Sequence, residues 1–216
     1  MTMRREIWHP FRSARPTRKE ERGARDRVIL ADVRDAPDEP TTEFTTDWDD
    51  ISGLAVLAGE FVTTTADGSS NPLYEPVSRL LERVRERVGM DVVFIAQFVD
   101  GRRLIRRVAA DPRDTCAMTE GQADPLEATF CERVLDGRLP EALPDAQQNP
   151  EAARLETTKK HAIRAHIAVP VVTQDGRVFG TVCAYAHEPR TQLHDPLAVL
   201  RSVARALARA LDQADA

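Results

Sequence analysis

Hydrophobic positions in the first half of the chain predict a helix followed by a β-hairpin. The 3,4 spacing of apolar residues over 77–88 gathers them on one helical face, and Gly89 suits the end of that helix. The run 91–99 is almost entirely apolar and predicts a buried strand. An Asp-Gly pair follows it and favours a tight turn, so 102–109 is expected to return as a second strand.

The second half predicts three more helices and up to three strands. Asp124 suits a helix N-cap, Glu127 completes an Asp-x-x-Glu capping arrangement, and Gly137 suits the end of that helix. The Pro-containing segment 139–146 allows only a short edge strand. The remaining expected elements are a helix over 149–160, strands over 164–173 and 177–187, and a long helix over 195–213.

This order of elements predicts an α+β fold. Hairpins outnumber strand–helix–strand units, so we expect a largely antiparallel sheet with helices packed on its faces. Neither G-x-G-x-x-G nor G-x-x-x-x-G-K-[ST] occurs in the chain. Both absences count against a dinucleotide-binding Rossmann domain and a P-loop enzyme.

Charge divides the chain into an N-terminal arm and a domain. Of the 216 residues, 1–27 carry a net charge of +5 and 28–50 a net charge of −7. We predict a disordered basic-then-acidic arm over 1–47 and a single domain over 48–213. No DNA-binding helix accompanies the arginines of the arm, so we expect no nucleic-acid binding. No apolar run is long enough to span a membrane or to form a signal-peptide core, and a cytoplasmic protein is predicted.

Five short motifs in the domain resemble those of the GAF domain of bacterial signalling proteins. The resemblance covers about residues 50–213 and implies an antiparallel sheet with helices on both sides. It further implies a non-enzymatic sensory or regulatory module that binds a small molecule, a partner signalling protein, or both. The motifs are Thr129-Phe-Cys131, Leu143-Pro-Asp145-Ala, Ala168-Val-Pro170-Val, Asp175-Gly-Arg-Val-Phe-Gly180-Thr-Val-Cys183-Ala and Glu188-Pro189-Arg190.

Two other functions remain open beside this one. One is a pure protein-interaction module whose pocket is filled by its own side chains. The other is a thiol-dependent enzyme or redox sensor similar to the free methionine sulfoxide reductases. The cysteine typical of those enzymes falls where this chain has Arg164, His166 and Ala168, which weighs against the enzyme.

The cysteines and histidines point to no particular cofactor or metal. Cys116, Cys131 and Cys183 are odd in number and lack C-x-x-C spacing, so we expect buried packing cysteines and leave their redox activity open. Phytochrome-like GAF domains attach bilins through a Cys followed by His. Here Glu132 follows Cys131, so no covalent bilin is expected. His161 and His166 with a cysteine form too sparse a set to predict a metal or haem site.

A ligand site is predicted on one face of the sheet. Strand alternation places Arg164, His166 and Ala168 on a face opposite the aliphatic residues between them. The resemblance implies that this face lines the ligand cavity, and an Arg there would favour an anionic ligand. The alternative is that Arg164 pairs with a local carboxylate. The other expected lining residues are Phe98, Cys131, Val182 and Ala184.

The terminal helices are expected to form a homodimer. The last helix carries an apolar seam flanked by small residues, which leaves room for a second helix beside the sheet. GAF domains commonly pair through terminal helices, and the resemblance implies the same for residues 50–62 and 195–213.

Overall fold

The structure, a computed structural model, describes the backbone of residues 74–214 and the side chains of residues 78–213. The arm predicted over 1–47 and the helix expected over 50–62 lie outside the described residues. Within the described part, the fold is the α+β arrangement that the sequence predicts. None of the helices between residues 74 and 214 is long and apolar enough to cross a bilayer.

Six strands form one antiparallel sheet in the spatial order β3-β2-β1-β6-β5-β4. Two hairpins, β1–β2 and β5–β6, meet at its centre through the β1–β6 pair. The strands are β1 (Val92–Val99), β2 (Arg102–Ala110), β3 (Ala123–Pro125), β4 (Ala142–Leu143), β5 (Ala165–Val172) and β6 (Val178–Ala186).

Within residues 74–214, five α-helices and two short 3-10 turns surround the sheet. The long helices α1 and α5 pack on one face, and the short helices α2, α3 and α4 cover the other with their connections. The helices are α1 (Tyr74–Val88), α2 (Phe130–Leu135), α3 (Pro150–Arg154), α4 (Glu156–Lys160) and α5 (His194–Ala214), and the 3-10 turns are Leu126–Ala128 and Ala146–Gln148.

Two glycines meet backbone demands that other residues would not. Asp100 and Gly101 both have positive φ, 50° and 72°, as a two-residue turn between β1 and β2 requires. Gly180 of β6 pairs with Gln97 of β1, and a Cβ on Gly180 would collide with the carbonyl oxygen of Ala96. The predicted hairpin turn is therefore confirmed, and the glycine of the G-T-V-C motif is required by strand packing.

Two helix predictions are wrong in detail. Asp124 does not cap a helix, because its segment pairs with β2 as strand β3. The helix begins six residues later, where Thr129 Oγ1 accepts a hydrogen bond from the Glu132 amide. The helix expected over 149–160 is two helices, since Leu155 takes an extended conformation between them (φ −61°, ψ 132°).

The two faces of the sheet have different contents. The face beneath α1 and α5 is aliphatic and includes Ile167 and Val169 of β5. The antiparallel register sets Ala184 opposite Ile167 and Val182 opposite Val169, so both lie on this same face. Their predicted place beside His166 and Ala168 is therefore wrong. Sequence alternation orders one strand, but its register with the next decides which residues share a face.

Candidate functional site

The face beneath the short helices brings together buried polar side chains of the described residues, among them Arg103, His166 and Thr181. We call it the second face. Each side chain is aimed inward by strand alternation or by the first turn of α2, and the β5–β6 pairs His166–Tyr185 and Ala168–Cys183 join its centre. Its central members are Phe94, Arg103, Phe130, Cys131, His166, Ala168, Thr181, Cys183 and Tyr185, each at most 1% exposed.

Arg103 is the fully buried charge of this face. Its Nη2 donates a 2.6 Å hydrogen bond to Oδ2 of Asp124, its neighbour on β3, and its guanidinium lies 5.7 Å from the ring centre of Phe94. Burial works to lower the pKa of Arg103, but the charges of Cys131 and Asp124 outweigh it and raise that pKa. The guanidinium therefore stays protonated despite complete burial.

Two of the guanidinium nitrogens of Arg103 lack a hydrogen-bond acceptor. Nε and Nη1 are both buried, and no partner for either lies within the described residues. A buried donor without an acceptor costs roughly 1–3 kcal/mol, and more when the group is charged. The second face thus holds a cation whose well-formed hydrogen bond is made by Nη2, with the Cys131 sulfur as its further polar neighbour.

Two thiols lie in contact beside this cation. Cys131 of α2 and Cys183 of β6 have their Sγ atoms 3.8 Å apart. Thr181 Oγ1 lies 3.3 Å from the sulfur of Cys131 and 3.2 Å from that of Cys183. The hydrogen bond from Cys183 and the charge of Arg103 lower the pKa of Cys131 despite its burial. Burial and the neighbouring Cys131 raise the pKa of Cys183.

His166 completes the polar set as a neutral group. Its ring stacks on Phe130 with centroids 4.2 Å apart. Burial, assisted by the charge of Arg103, lowers the pKa of His166 to about 3. Its Nδ1 is buried with no hydrogen-bond partner in the described part of the chain. An imidazole of this kind can donate or accept one hydrogen bond, but it carries no charge near neutral pH.

A second group of polar contacts fastens the 111–122 connection onto the sheet. His161 Nδ1 lies 2.8 Å from the carbonyl oxygen of Cys116, and the Tyr185 hydroxyl accepts a hydrogen bond from the Met118 amide. His187 Nε2 lies 2.9 Å from Asp114 Oδ2. Among the described residues, no three His, Cys, Asp or Glu side chains are grouped as a metal ion would require.

Arg164 follows the second of its two predicted alternatives. Nε and Nη2 of Arg164 donate to the two carboxylate oxygens of Asp145 at 2.9 and 2.8 Å. Hydrogen bonds from Arg164 lower the pKa of Asp145 to about 2. Asp145 also accepts a hydrogen bond from the Gln147 amide, so this carboxylate bonds the backbone of its own turn as well as Arg164. Arg164 is partly exposed and stands outside the buried second face.

The predicted lining residues divide between the two faces. Cys131, His166 and Ala168 meet on the second face, and Phe98 packs against its apolar cluster from the edge. Val182 and Ala184 lie on the opposite face. Whether any of these residues contacts a ligand stays a prediction.

Sequence reasoning missed Arg103, Asp124 and Thr181. The signal for Arg103 was present, because it alternates with Ile105 on the inward side of a strand whose outward side also carries arginines. Its carboxylate partner is 21 residues away, on a strand that the sequence did not predict. Thr181 lies within the G-T-V-C motif and was visible only as part of the resemblance.

Comparison with known proteins agrees with this architecture. The family model described as GAF domain matches residues 71–212, about two thirds of the chain. A search among curated proteins gave no significant match.

Solved structures of GAF domains share the fold. The phycocyanobilin-bound GAF domain of a cyanobacterial phytochrome aligns with a TM-score of 0.55 at 16% identity, covering 76% of this chain and 94% of that one. The GAF domain of an Acinetobacter phosphoenolpyruvate-protein phosphotransferase gives 0.54 at 16% identity, with 79% and 95% coverage. The PixJ GAF domain of Thermosynechococcus elongatus in its blue-light absorbing form gives 0.53 at 18% identity, with 69% and 90% coverage. At these identities the likeness establishes the fold alone.

Proposed function

Because the chain belongs to the GAF domain family, we propose that it is a non-enzymatic sensory or regulatory domain that binds a small anionic molecule at the second face. Arg103 is the side chain that holds the anion in this proposal. The family supports the sensory role, and the buried cation supports the charge of the ligand.

The incomplete hydrogen bonding of Arg103 carries the proposal. Asp124 accepts from Nη2 and the Cys131 sulfur interacts with the guanidinium, while the buried Nε and Nη1 have no acceptor at full hydrogen-bond geometry among the described residues. A ligand carboxylate or phosphate presents two oxygens that match the guanidinium fork, and such charge-assisted pairs are among the strongest hydrogen bonds in proteins. An anion would therefore relieve a cost that the protein bears without it.

Neighbouring groups suit a partly polar ligand. The unpartnered Nδ1 of His166 and the hydroxyl of Thr181 lie on the same face as Arg103. Phe98, Cys131 and Ala168 are retained from the sequence prediction as wall residues. We drop Val182 and Ala184, which lie on the opposite face.

The neighbouring structures favour a ligand but not its identity. One similar GAF domain is phycocyanobilin-bound and another is phycoerythrobilin-bound, so domains of this fold accommodate sizeable molecules. Glu132 follows Cys131 in this chain, and the Cys131 sulfur contacts Cys183. We therefore propose a non-covalent ligand and assign no cofactor.

One observation favours a second candidate, a protein-interaction module with a filled pocket. The central side chains of the second face are fully buried and contact one another. If this packing persists in solution, the face is a core and not a binding site. The domain would then act through a partner signalling protein or through its own dimer.

A ligand screen on the full chain separates these candidates. Carboxylates, nucleotides and cyclic dinucleotides are tested for a rise in the thermal unfolding midpoint, and hits are measured by calorimetry. A ligand at a hundred times its Kd stabilises the protein by about 2.7 kcal/mol. We expect at least one anion to bind, with a loss of affinity of tenfold or more in Arg103→Met.

Two matched arginine variants locate the site. Arg190→Ala should bind as the wild type does. Arg164→Ala should also bind the anion, since Nε and Nη2 of Arg164 already donate hydrogen bonds to the Asp145 carboxylate. Loss of binding in Arg164→Ala alone would move the site to Arg164, and an absence of any binding anion would favour the interaction module.

A further inference from the structure

The buried thiol pair invites an inference that goes beyond ligand binding. Cys131 and Cys183 are 52 positions apart in the sequence, on a helix and on the central strand beneath it, yet their sulfurs are 3.8 Å apart. A disulfide bond is about 2.05 Å long, so the two sulfurs need to approach by roughly 2 Å. A rotation of one side chain or a small shift of α2 supplies a movement of that size.

The surroundings of the two sulfurs differ in a way that assigns them different roles. Arg103 and the Cys183 thiol favour the thiolate form of Cys131, whose pKa is lowered. Cys183 keeps its proton because burial and its neighbour raise its pKa. The Thr181 hydroxyl lies within hydrogen-bond distance of both sulfurs. The pair therefore consists of one thiol whose ionisation is favoured, Cys131, and one whose proton is retained, Cys183, with their sulfurs 3.8 Å apart.

We propose that Cys131 and Cys183 form a reversible disulfide, which makes the second face a thiol–disulfide switch that responds to hydroperoxides. Cys131 is the sulfur that attacks the peroxide, and Cys183 is the sulfur that resolves the product. The switch needs no bound anion and so does not rest on the proposed ligand.

The chemistry takes two steps. The Cys131 thiolate attacks one oxygen of hydrogen peroxide, so that an S–O bond forms, the O–O bond breaks and hydroxide leaves. This gives the sulfenic acid Cys131–S–OH, in which sulfur is oxidised by two electrons and the peroxide is reduced. The Cys183 sulfur then displaces the hydroxyl, which leaves as water with the thiol proton, and the S–S bond forms. A dithiol reverses the reaction by exchange and is itself oxidised to a disulfide.

The bond would change how α2 is held on the sheet. This helix has only six residues, and Phe130 at its start stacks on His166. A covalent link to β6 fixes the helix over the centre of the sheet. Disulfide formation also removes the negative charge of Cys131 next to Arg103. The protonated guanidinium then loses one of the charges that raise its pKa.

Burial predicts slow kinetics. Both sulfurs are inaccessible in the closed structure, so peroxide reaches them when α2 opens locally. We expect the rate of disulfide formation to increase at least threefold in urea well below the unfolding transition. A thiol on the exposed surface would show no such acceleration.

Intact-mass spectrometry of the full chain tests the proposal. Reduced protein is treated with hydrogen peroxide, and thiols are then alkylated under denaturing conditions. We expect a loss of about 2 Da, two unalkylated cysteines, a Cys131–Cys183 cross-linked peptide, and full reversal by dithiothreitol. The half-buried Cys116 provides the matched control, and Cys116→Ser should show the same mass loss of about 2 Da as the wild type. Cys183→Ser should instead form the sulfenic acid at Cys131 and no disulfide.

Three outcomes would overturn the inference. The first is a mass gain of sulfinic or sulfonic acid in the wild type with no disulfide. The second is a disulfide that includes Cys116. The third is two thiols that stay reduced at peroxide concentrations and times sufficient to oxidise Cys116, both in buffer and in subdenaturing urea.

Discussion

Arg103 and Asp124 form an ion pair across neighbouring strands in which the cation is fully buried and the carboxylate is 19% exposed. This asymmetry decides what each side chain does for the fold. The carboxylate keeps access to water, so it can lose its partner at small cost. The guanidinium is shielded from water, and Asp124 supplies its charge-assisted hydrogen bond.

Asp124→Asn should therefore destabilise the domain far more than Arg103→Met does. Removing the carboxylate leaves the buried cation without its charge-assisted hydrogen bond and with Cys131 as its remaining source of counter-charge, which costs about 3 kcal/mol. Replacing the cation with Met removes both the charge and its unsatisfied donors, at a cost of about 1 kcal/mol or less. Urea unfolding monitored by circular dichroism measures both changes.

The exposed pair Asp111–Arg113 provides the control for this comparison. Asp111→Asn should leave the urea midpoint unchanged, since solvent screens such a pair. The double variant that joins Arg103→Met to Asp124→Asn should recover most of the stability that Asp124→Asn loses. Equal losses in the two single variants would contradict this account of the pair.

A second prediction concerns the close approach of the paired strands β1 and β6 at Gly180. Gly180→Ala places a methyl group against the backbone carbonyl of Ala96, and a backbone atom cannot move aside without breaking the strand pair. We expect the free energy of unfolding to fall by about 3 kcal/mol or more, or the variant to fail to fold. Gly121→Ala is the control, because its added methyl group meets open space and it bears only the cost of a positive φ, about 1–2 kcal/mol.

Local patterns of the sequence predicted most of the described fold. The Asp100-Gly101 pair correctly predicted the turn between β1 and β2. Alternation along β5 correctly placed Ala168 on the opposite face from its aliphatic neighbours. Each of these features is decided within one or two elements. The α+β class followed from the order of those elements.

The errors arose where distant segments meet. Val182 was assigned to the wrong face because the register between β5 and β6 is a relation of two strands. Asp124 read as a helix cap because its real partner, Arg103, lies in a different hairpin. The thiol pair was invisible for the same reason, since nothing local connects Cys131 to Cys183. Secondary structure is largely local, whereas the chemistry of this site comes from packing.

Acid should remove the contribution of the Arg164–Asp145 pair. Arg164 lowers the pKa of Asp145 to about 2, below its value of about 3.9 in an unfolded chain. The pair therefore stabilises the fold above pH 4 and loses this effect as the pH falls toward 2. The difference in melting temperature between wild type and Asp145→Asn should shrink over that range. A difference that stays constant from pH 6 to pH 2.5 would show that the pair does not act through charge.

A prediction about assembly follows from α5. Ala204 and Ala208 of this helix, with Pro170 and Val172 of β5, form the floor of an open groove of about 300 Å³ whose other lining residues are the polar Gln174, Arg205, Arg209 and Asp212. Small side chains such as those of Ala204 and Ala208 allow a second helix to approach closely. We expect sedimentation of the full chain at tens of micromolar to report a homodimer, which removal of residues 1–47 leaves intact. A monomer at these concentrations would contradict the proposed pairing of terminal helices.

His166 should make the fold sensitive to mild acid. The pKa of His166 is about 3 in the folded protein, against about 6.5 in an unfolded chain. Between these two pH values the imidazole is protonated in the unfolded state and neutral in the folded state. Stability must then fall as the pH drops below about 6.5. From pH 7 to pH 5 this amounts to about 2 kcal/mol.

His166→Gln removes the titrating group, so its free energy of unfolding should fall less over that range than the wild type's does. His194→Gln is the matched control, because this histidine is almost fully exposed and should leave the slope unchanged. The absolute stability of His166→Gln is not the measure, since the variant also loses the stacking of His166 on Phe130. The quantity to compare is the slope of the free energy of unfolding against pH. Urea unfolding curves recorded at intervals of about half a pH unit give this slope. Equal slopes for wild type and His166→Gln would mean that water reaches the imidazole, and that the second face is more open than its packing indicates.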